Sequence, residues 1–357
     1  MLPYFLLVGL PALVSMYKSW KRDEKLNKAV INVFFLIWLL LLLLRKETVG
    51  IDLYNYSKMF QSAIRTPYGK IFSYIYTFEH EFGFYFLSKA MSLLSTDFRW
   101  LLTIITLVSV IPVWVLYYKN TTKFPFLTIV LFLNVGVFSI YFSCLRQVIA
   151  MAFVLPAYYF TKNKKPALFI LMVYLAFLFH KSALIMIFLY PAFYANLKSK
   201  GNISIILTAV GICYIFRKPI FTFFRSFISD YYSSDLKETG AIAILLLLVI
   251  FVVFSYSVVD EEKMSEETLG LRNLLVMSAL LQVFAGVNPL AMRLNYYYLL
   301  FVPFIIPRIA ECSSEKNKRI TEVSLIIMIF FFTAYYFYDA YTDVSTLKIY
   351  PYVPFWN

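Results

Sequence analysis

Residues 29–44 read AVINVFFLIWLLLLLL, a run without a charge that is closed by Arg45 and Lys46. A helix rises about 1.5 Å per residue, so a run of this kind with its flanking turns approaches the roughly 30 Å of a bilayer's hydrocarbon core. A helix apolar on every side must be wrapped by other apolar groups or by lipid. The rest of the chain cannot dress such a helix for water. Of its 357 residues 61% are AVILMFWYC and only 15% are DEKR, against about 25% charged in soluble proteins. The fold class that follows is all-α and polytopic, because a spanning segment has to satisfy its own backbone groups.

Further apolar runs occupy 1–17, 98–118, 125–142, 145–161, 166–180, 182–197, 203–216, 241–258, 273–288, 294–309 and 321–338. With 29–44 they make about twelve transmembrane helices, in a range of about ten to thirteen, since the pairs 125–142/145–161 and 166–180/182–197 are joined by almost nothing. Residues 1–357 then form a single multi-pass membrane domain. No internal repeat is visible, so an inverted-repeat transporter gains no support. The basic cluster Lys18, Lys21, Arg22, Lys25 and Lys28 follows the first apolar run. A cleavable signal peptide has the opposite order, so 1–17 reads as a retained span with its N-terminus outside.

Lys+Arg number 33 against 20 Asp+Glu, a formal charge of +13. In a soluble protein that excess would point to nucleic acid; here most of it is topology. Eighteen of the 33 bases sit in the short loops 18–28, 119–124, 161–165, 197–202, 259–272 and 308–320, which the positive-inside rule places in the cytoplasm. Loop 259–272 dissents, with five acids against two bases. The outer face then holds a long loop, 45–97, a medium loop, 217–240, and the tail 339–357. Within the long loop, Phe82, Phe86, Ala90, Leu93 and Leu94 recur at helical spacing, as in an amphipathic helix lying in the interface. The tail, IYPYVPFWN at 349–357, reads as an interfacial aromatic anchor.

Several chemistries are disfavoured. The chain has no G-x-x-x-x-G-K-[ST] loop, no H-E-x-x-H and only two histidines. Cys144, Cys213 and Cys312 stand alone in apolar sequence, without disulfide or zinc spacing. Glu79-His80-Glu81 resembles a ligand cluster, but adjacent helical positions point in different directions. Neither a metal nor a cofactor is expected.

What remains is a small set of polar groups set into apolar sequence. Arg146 lies at or just inside a membrane boundary, with short neighbours (Ser143, Cys144, Ala150) and no acid nearby in sequence. An arginine there costs roughly 2.5–3.5 kcal/mol on insertion scales unless it is paired or snorkels, so an intramembrane function outweighs a plain helix end. His180 closes the uncharged stretch Ala167–Phe179, and Arg293 stands in PLAMRLNYYYLL between two spans. By the topology above, all three lie at outer helix ends and can converge on one extracytoplasmic cavity. Guanidinium groups bind phosphate oxygens bidentately and stay charged, and a neutral imidazole moves protons near pH 7.

The outer loops add carboxylates and aromatics. Asp52, Tyr56 and Phe60 share a face if the segment is helical. Glu81 opens the amphipathic stretch, where an acid at a helix N-terminus is the plainer reading. Either Asp52 or Glu81 suits a general base or a sugar-hydroxyl acceptor. Loop 217–240 offers Arg217, Arg225, Asp230, Tyr231 and Tyr232, the acids and aromatics that a glycan needs.

At these residues the chain resembles the EpsG-like branch of the Wzy-type bacterial polysaccharide polymerases. The matching pieces, in order, are GIDLYNYSKMF (50–60), Glu81 to Phe84 with LSKAMSLLS after it, FSCLRQVIA (142–150), AFLFHKSAL (176–184), AMRLNYYYLLFVPF (291–304) and the Tyr/Pro-rich tail. The resemblance implies a GT-C-like membrane glycosyltransferase of the bacterial cytoplasmic (inner) membrane with an extracytoplasmic active site. Its donor and acceptor would be undecaprenyl-pyrophosphate-linked oligosaccharides, its product an O antigen, capsule or exopolysaccharide, and a chain-length regulator a further partner. It implies Arg146 and Arg293, with Arg217 or Arg225, on the pyrophosphate. His180, Asp52 or Glu81 would take the acceptor proton, and Tyr56, Asp230, Tyr231 and Tyr232 would hold the glycan. Two alternatives stand beside this reading. A flippase or exporter of the same lipid-linked glycan should carry charges at mid-membrane depth. A GT-C transferase using polyprenyl-monophosphate sugars would draw on acids such as Asp52.

Overall fold

The computed structural model describes residues 2–21, 24–73, 81–225, 241–288, 291–342 and 347–356. Among them, helix is the only regular element; two isolated bridges, Arg45 with Pro354 and Val259 with Ser313, pair loops. The chain forms two compact units, Met1–Met186 with Ile329–Asn357, and Ile187–Met328.

Among the described residues, four helices are long and apolar enough to cross a membrane: Glu24–Leu44, Phe98–Lys119, Glu266–Ala285 and Glu315–Thr342. The pair Asn202–Ile215 and Arg217–Phe223, bent by 73°, brings the number to five if it counts as one span. Other runs read as spans fold as shorter or broken helices. The run 125–142 stops at Asn134 and resumes at Val137 because Gly136, at φ +86°, takes a left-handed conformation. The run 145–161 divides at Phe153, and 182–197 opens as a 3-10 helix, Lys181–Phe188. The run 294–309 divides before Val302, where Pro303 restarts the helix in its first turn.

In the first unit, α1 (Leu2–Lys21) and α2 (Glu24–Leu44) precede α3 (Leu53–Arg65), α4 (Phe82–Met91) and α5 (Phe98–Lys119). Helix α2 buries Val30, Ile31, Phe34, Phe35, Trp38, Leu41 and Leu42, a stripe at 3.6-residue spacing, and leaves Leu36 and Leu40 exposed. Phe35 stacks on Trp114 of α5, whose indole N–H donates to Asn32 Oδ1 at 2.8 Å. Between helices in lipid such close packing and polar pairs replace the hydrophobic drive.

The C-terminal end of α2 has an unusual cap. Its last carbonyls have no partner within the helix. Tyr352 Oη donates to Leu41 O at 3.0 Å, Arg99 Nη2 to Leu43 O at 3.2 Å, and Phe355 N to Leu44 O at 2.9 Å. The tail then runs back along the chain: Lys46 N donates to Val353 O, Gly50 N to Lys348 O and Ile51 N to Leu347 O. Tyr4 Oη of α1 donates to the buried Ile349 carbonyl. The tail is therefore a backbone-paired strap as well as an aromatic segment. The aromatic pattern marked its side chains and could not show its backbone pairing.

The second unit is held by α-helix Glu266–Ala285, whose fully buried Arg272 donates to the carbonyls of Leu197 and Lys198 and stacks on Tyr256. At the same end the acid-rich loop is tied to the basic one. Val259 bridges Ser313, and Lys263 pairs with Glu315 at 3.6 Å.

Candidate functional site

Three helix ends meet in the first unit. Glu81, in extended conformation, precedes α4 as its N-cap residue. Arg146 lies in the first turn of the helix Leu145–Ala152, and His180 caps the C-terminus of Pro166–Phe179. Glu81 does not spend its carboxylate on its own helix, since no side-chain capping bond forms. Instead, Oε2 accepts from Arg146 Nη1 and Oε1 lies 3.1 Å from His180 Nδ1. The acid that the sequence around Arg146 lacks thus arrives from 65 positions upstream.

Glycines permit this approach. A Cβ on Gly83 would lie 2.9 Å from the Leu178 carbonyl oxygen and 3.1 Å from the Phe179 ring, so only glycine lets α4 touch the end of the His180 helix. Gly50, at φ +124°, does the same for the loop start: a Cβ there would fall 2.0 Å from Phe142 O. Ser143 then locks three segments, accepting from Ile51 N at 3.0 Å and donating to Leu347 O at 3.2 Å. The strap therefore reaches the turn that leads into Arg146.

Side-chain exposures order the trio: His180 4%, Glu81 8% and Arg146 27%. The guanidinium is the accessible member, and the imidazole and carboxylate lie behind it. Burial alone would raise the Glu81 carboxyl, but the His180 hydrogen bond and the Arg146 charge prevail and bring it to about 2. Glu81 is therefore an anion, an acceptor only, at any physiological pH. His180 Nδ1 then carries the hydrogen of their bond, and Nε2 is the nitrogen left to exchange a proton. This is the logic of a carboxylate-oriented general base.

Tyr56 flanks the trio. Its ring packs on Phe84 with centroids 5.1 Å apart, and the Arg146 guanidinium stands 5.8 Å from its centre. Burial pushes the Tyr56 phenol up to about 12 against the pull of Arg146, so it remains a neutral donor. Asp52 precedes α3, half-buried and without a capping bond, and its charge reaches Tyr56 on the next turn. The face expected for Asp52, Tyr56 and Phe60 forms, with Tyr56 and Phe60 buried. Asp52 stands beside the trio, one turn removed through Tyr56.

The remaining expected site residues belong to the second unit or lie outside the described residues. Arg293 lies on Met292–Leu299 of the second unit, half-buried. Arg217, in the same unit, donates to Tyr214 O at 2.7 Å and stacks on the Tyr214 ring. Arg225 ends the helix Arg217–Arg225, and Asp230, Tyr231 and Tyr232 lie outside the described residues. Among the described residues no group of three or more His, Cys, Asp or Glu is placed to hold a metal. Sequence reasoning missed Gly50, Gly83, Ser143 and Arg99. Only Gly50 carried a signal, as the glycine between a span and a helix.

Apolar helices long enough to cross a membrane mark a membrane-embedded protein, and in its first unit an acid, an imidazole and a guanidinium share one point. The family model described as the EpsG family matches residues 28–353, essentially the whole chain. The chain belongs to that family, the EpsG-like polysaccharide polymerases. Comparison with curated proteins and with solved structures finds no match.

Proposed function

We propose that this chain joins undecaprenyl-pyrophosphate-linked oligosaccharide repeats into a surface polysaccharide on the outer face of the bacterial cytoplasmic membrane, on a GT-C-like scaffold of about twelve spans. The observation that carries the reading is the single buried carboxylate shared by Arg146 and His180. It supplies an oriented base and an anion-binding cation at one point. In the step this supports, His180 Nε2 takes the proton of an acceptor hydroxyl as its oxygen attacks the anomeric carbon of the donor. The bond from that carbon to the pyrophosphate breaks, its electron pair leaves with the lipid pyrophosphate, and Arg146 stabilises the developing charge. The glycosyl pyrophosphate supplies the driving force, so the step calls for neither nucleotide nor metal.

Arg293, with Arg217 or Arg225, is the second pyrophosphate clamp in this proposal. Tyr56, Asp230, Tyr231 and Tyr232 hold the glycan, Asp52 is the reserve base, and a chain-length regulator is a partner. Deleting the gene should leave single repeats on the final acceptor and abolish the long-chain ladder on a glycan gel. An intact ladder in the deletion strain refutes the polymerase. Complementation with Arg146→Ala and, separately, Arg293→Ala tests the clamp; normal chain length in both at wild-type protein level rejects it.

A further inference from the structure

The outer loop carries a second feature that the trio does not use. Ser57, Lys58, Gln61, Ser62, Arg65 and Lys70, with Thr66 and Pro67, line a pocket of about 600 Å³. Positions 57, 58, 61, 62 and 65 recur at one- and four-residue steps and so share one face of α3, opposite the face that buries Tyr56, Phe60 and Ala63. Thr66 leaves the helix in extended conformation before Pro67, and the 3-10 turn Tyr68–Lys70 brings the third base onto the rim. From Leu53 to Ser73 the sequence has no acid, and among the described residues no carboxylate lies at ion-pair distance from Lys58, Arg65 or Lys70.

Behind the lining, α3 packs on α4. Thr66 Oγ1 and Tyr85 Oη are 2.8 Å apart. The buried Lys89 donates to Ile64 O at 3.1 Å and lies over the Tyr68 ring, adding a fourth positive charge. Because Glu81 is the N-cap residue of α4, Lys89 stands about 12 Å along the helix from the trio. The pocket and the trio are thus fixed to one rigid element.

We propose that this pocket is a subsite for an acidic oligosaccharide, in which Lys58, Arg65 and Lys70 bind carboxylate or phosphate substituents while Ser57, Gln61 and Ser62 meet sugar hydroxyls. The proposal rests on the polymerase reading for the glycan's presence. A glycan suits the lining better than an anionic lipid does, because only Pro67 among the lining residues is apolar and Ser57, Gln61, Ser62 and Thr66 offer hydroxyls and an amide beside the bases. Cations without carboxylate partners give an attraction that weakens with salt.

The test is binding without turnover, on the full chain in phosphatidylcholine nanodiscs. Labelled tetragalacturonate and maltotetraose are the probes. Tetragalacturonate is expected to bind at least tenfold more tightly than maltotetraose. The combined Lys58→Gln, Arg65→Gln and Lys70→Gln variant should lose about tenfold or more, as three solvated ion pairs imply. Single Lys58→Gln and Lys70→Gln variants, at exposed positions, should each lose severalfold and keep the test decisive if the combined variant does not purify. Equal binding of the two saccharides, or unchanged affinity in the variants, overturns the subsite. Abolition of wild-type binding by phosphatidylglycerol in the nanodisc overturns the glycan in favour of a lipid headgroup. Charge-selective binding by a protein whose gene deletion leaves the polymer ladder intact would keep the subsite and remove the polymerase.

Discussion

Replacing Glu81 with glutamine removes one charge and almost no volume. In the wild type the carboxyl is lowered from 4.5 to about 2, and each unit of such a shift is worth about 1.4 kcal/mol. The ionised carboxylate therefore contributes roughly 3 kcal/mol to the folded state, which agrees with the roughly 3–5 kcal/mol lost when one partner of a buried pair is removed. A folded-state value below the ordinary one means that this stability is complete above about pH 4.5. It is lost as the pH falls toward about 2. The amide cannot neutralise Arg146, and its own donor can turn the imidazole so that Nε2 no longer serves as base. Losing a positioned base costs a rate roughly 10²–10⁴-fold. Glu81→Gln should therefore lower both the melting temperature in detergent and the polymer yield, the yield by at least about two orders of magnitude. The assay is the glycan ladder from a complemented deletion strain, normalised to protein in the membrane. A wild-type ladder from Glu81→Gln at wild-type abundance would refute the oriented-base argument. A loss of stability alone, with rate per folded molecule retained, would reduce Glu81 to a clasp.

His180→Gln should abolish the acidic limb of the pH–rate profile along with most of the activity, whereas a merely structural histidine would leave the profile's shape unchanged. Gly83→Val drives a branched side chain into the Leu178 carbonyl, 2.9 Å from the first added carbon. It should part Glu81 from His180 and lower the rate more than the melting temperature, read from the same ladder and melt. Tyr352→Phe removes the donor to Leu41 O and should cost about 1 kcal/mol of thermal stability, with chain length unaltered.

Much of the fold was legible because it depends on composition and period. The apolar run at 29–44 became the heart of Glu24–Leu44, and the Asp52–Tyr56–Phe60 face formed as its spacing implies. The interruptions were not legible. A break at Phe153 leaves the apolar count of a run unchanged, and only local backbone geometry makes it. Arg146, His180 and Glu81 each stood out singly, as polar groups in costly places. Their union did not, because the helix ends that carry them are joined by tertiary packing over 65 and 99 positions. Glu81 does stand at a helix N-terminus, as its plain reading has it, but its side chain makes no capping bond, because a stronger pair of partners lay out of sight. The strap escaped notice because backbone N–H and C=O groups are the same in every residue.

That strap also sets an order of assembly. The unit holding the trio leaves off at Met186 and resumes at Ile329, so the ribosome must make the whole intervening unit before Leu347, Ile349 and Phe355 exist to close it. Contacts of such long sequence separation form late and slowly. Until they form, the last carbonyls of Glu24–Leu44 lack their tail partners and Ser143 lacks one of its two. The Arg146 turn is thus braced only after the second unit has been made. A nascent chain, however well its helices have inserted, holds the Arg146 turn without its final brace.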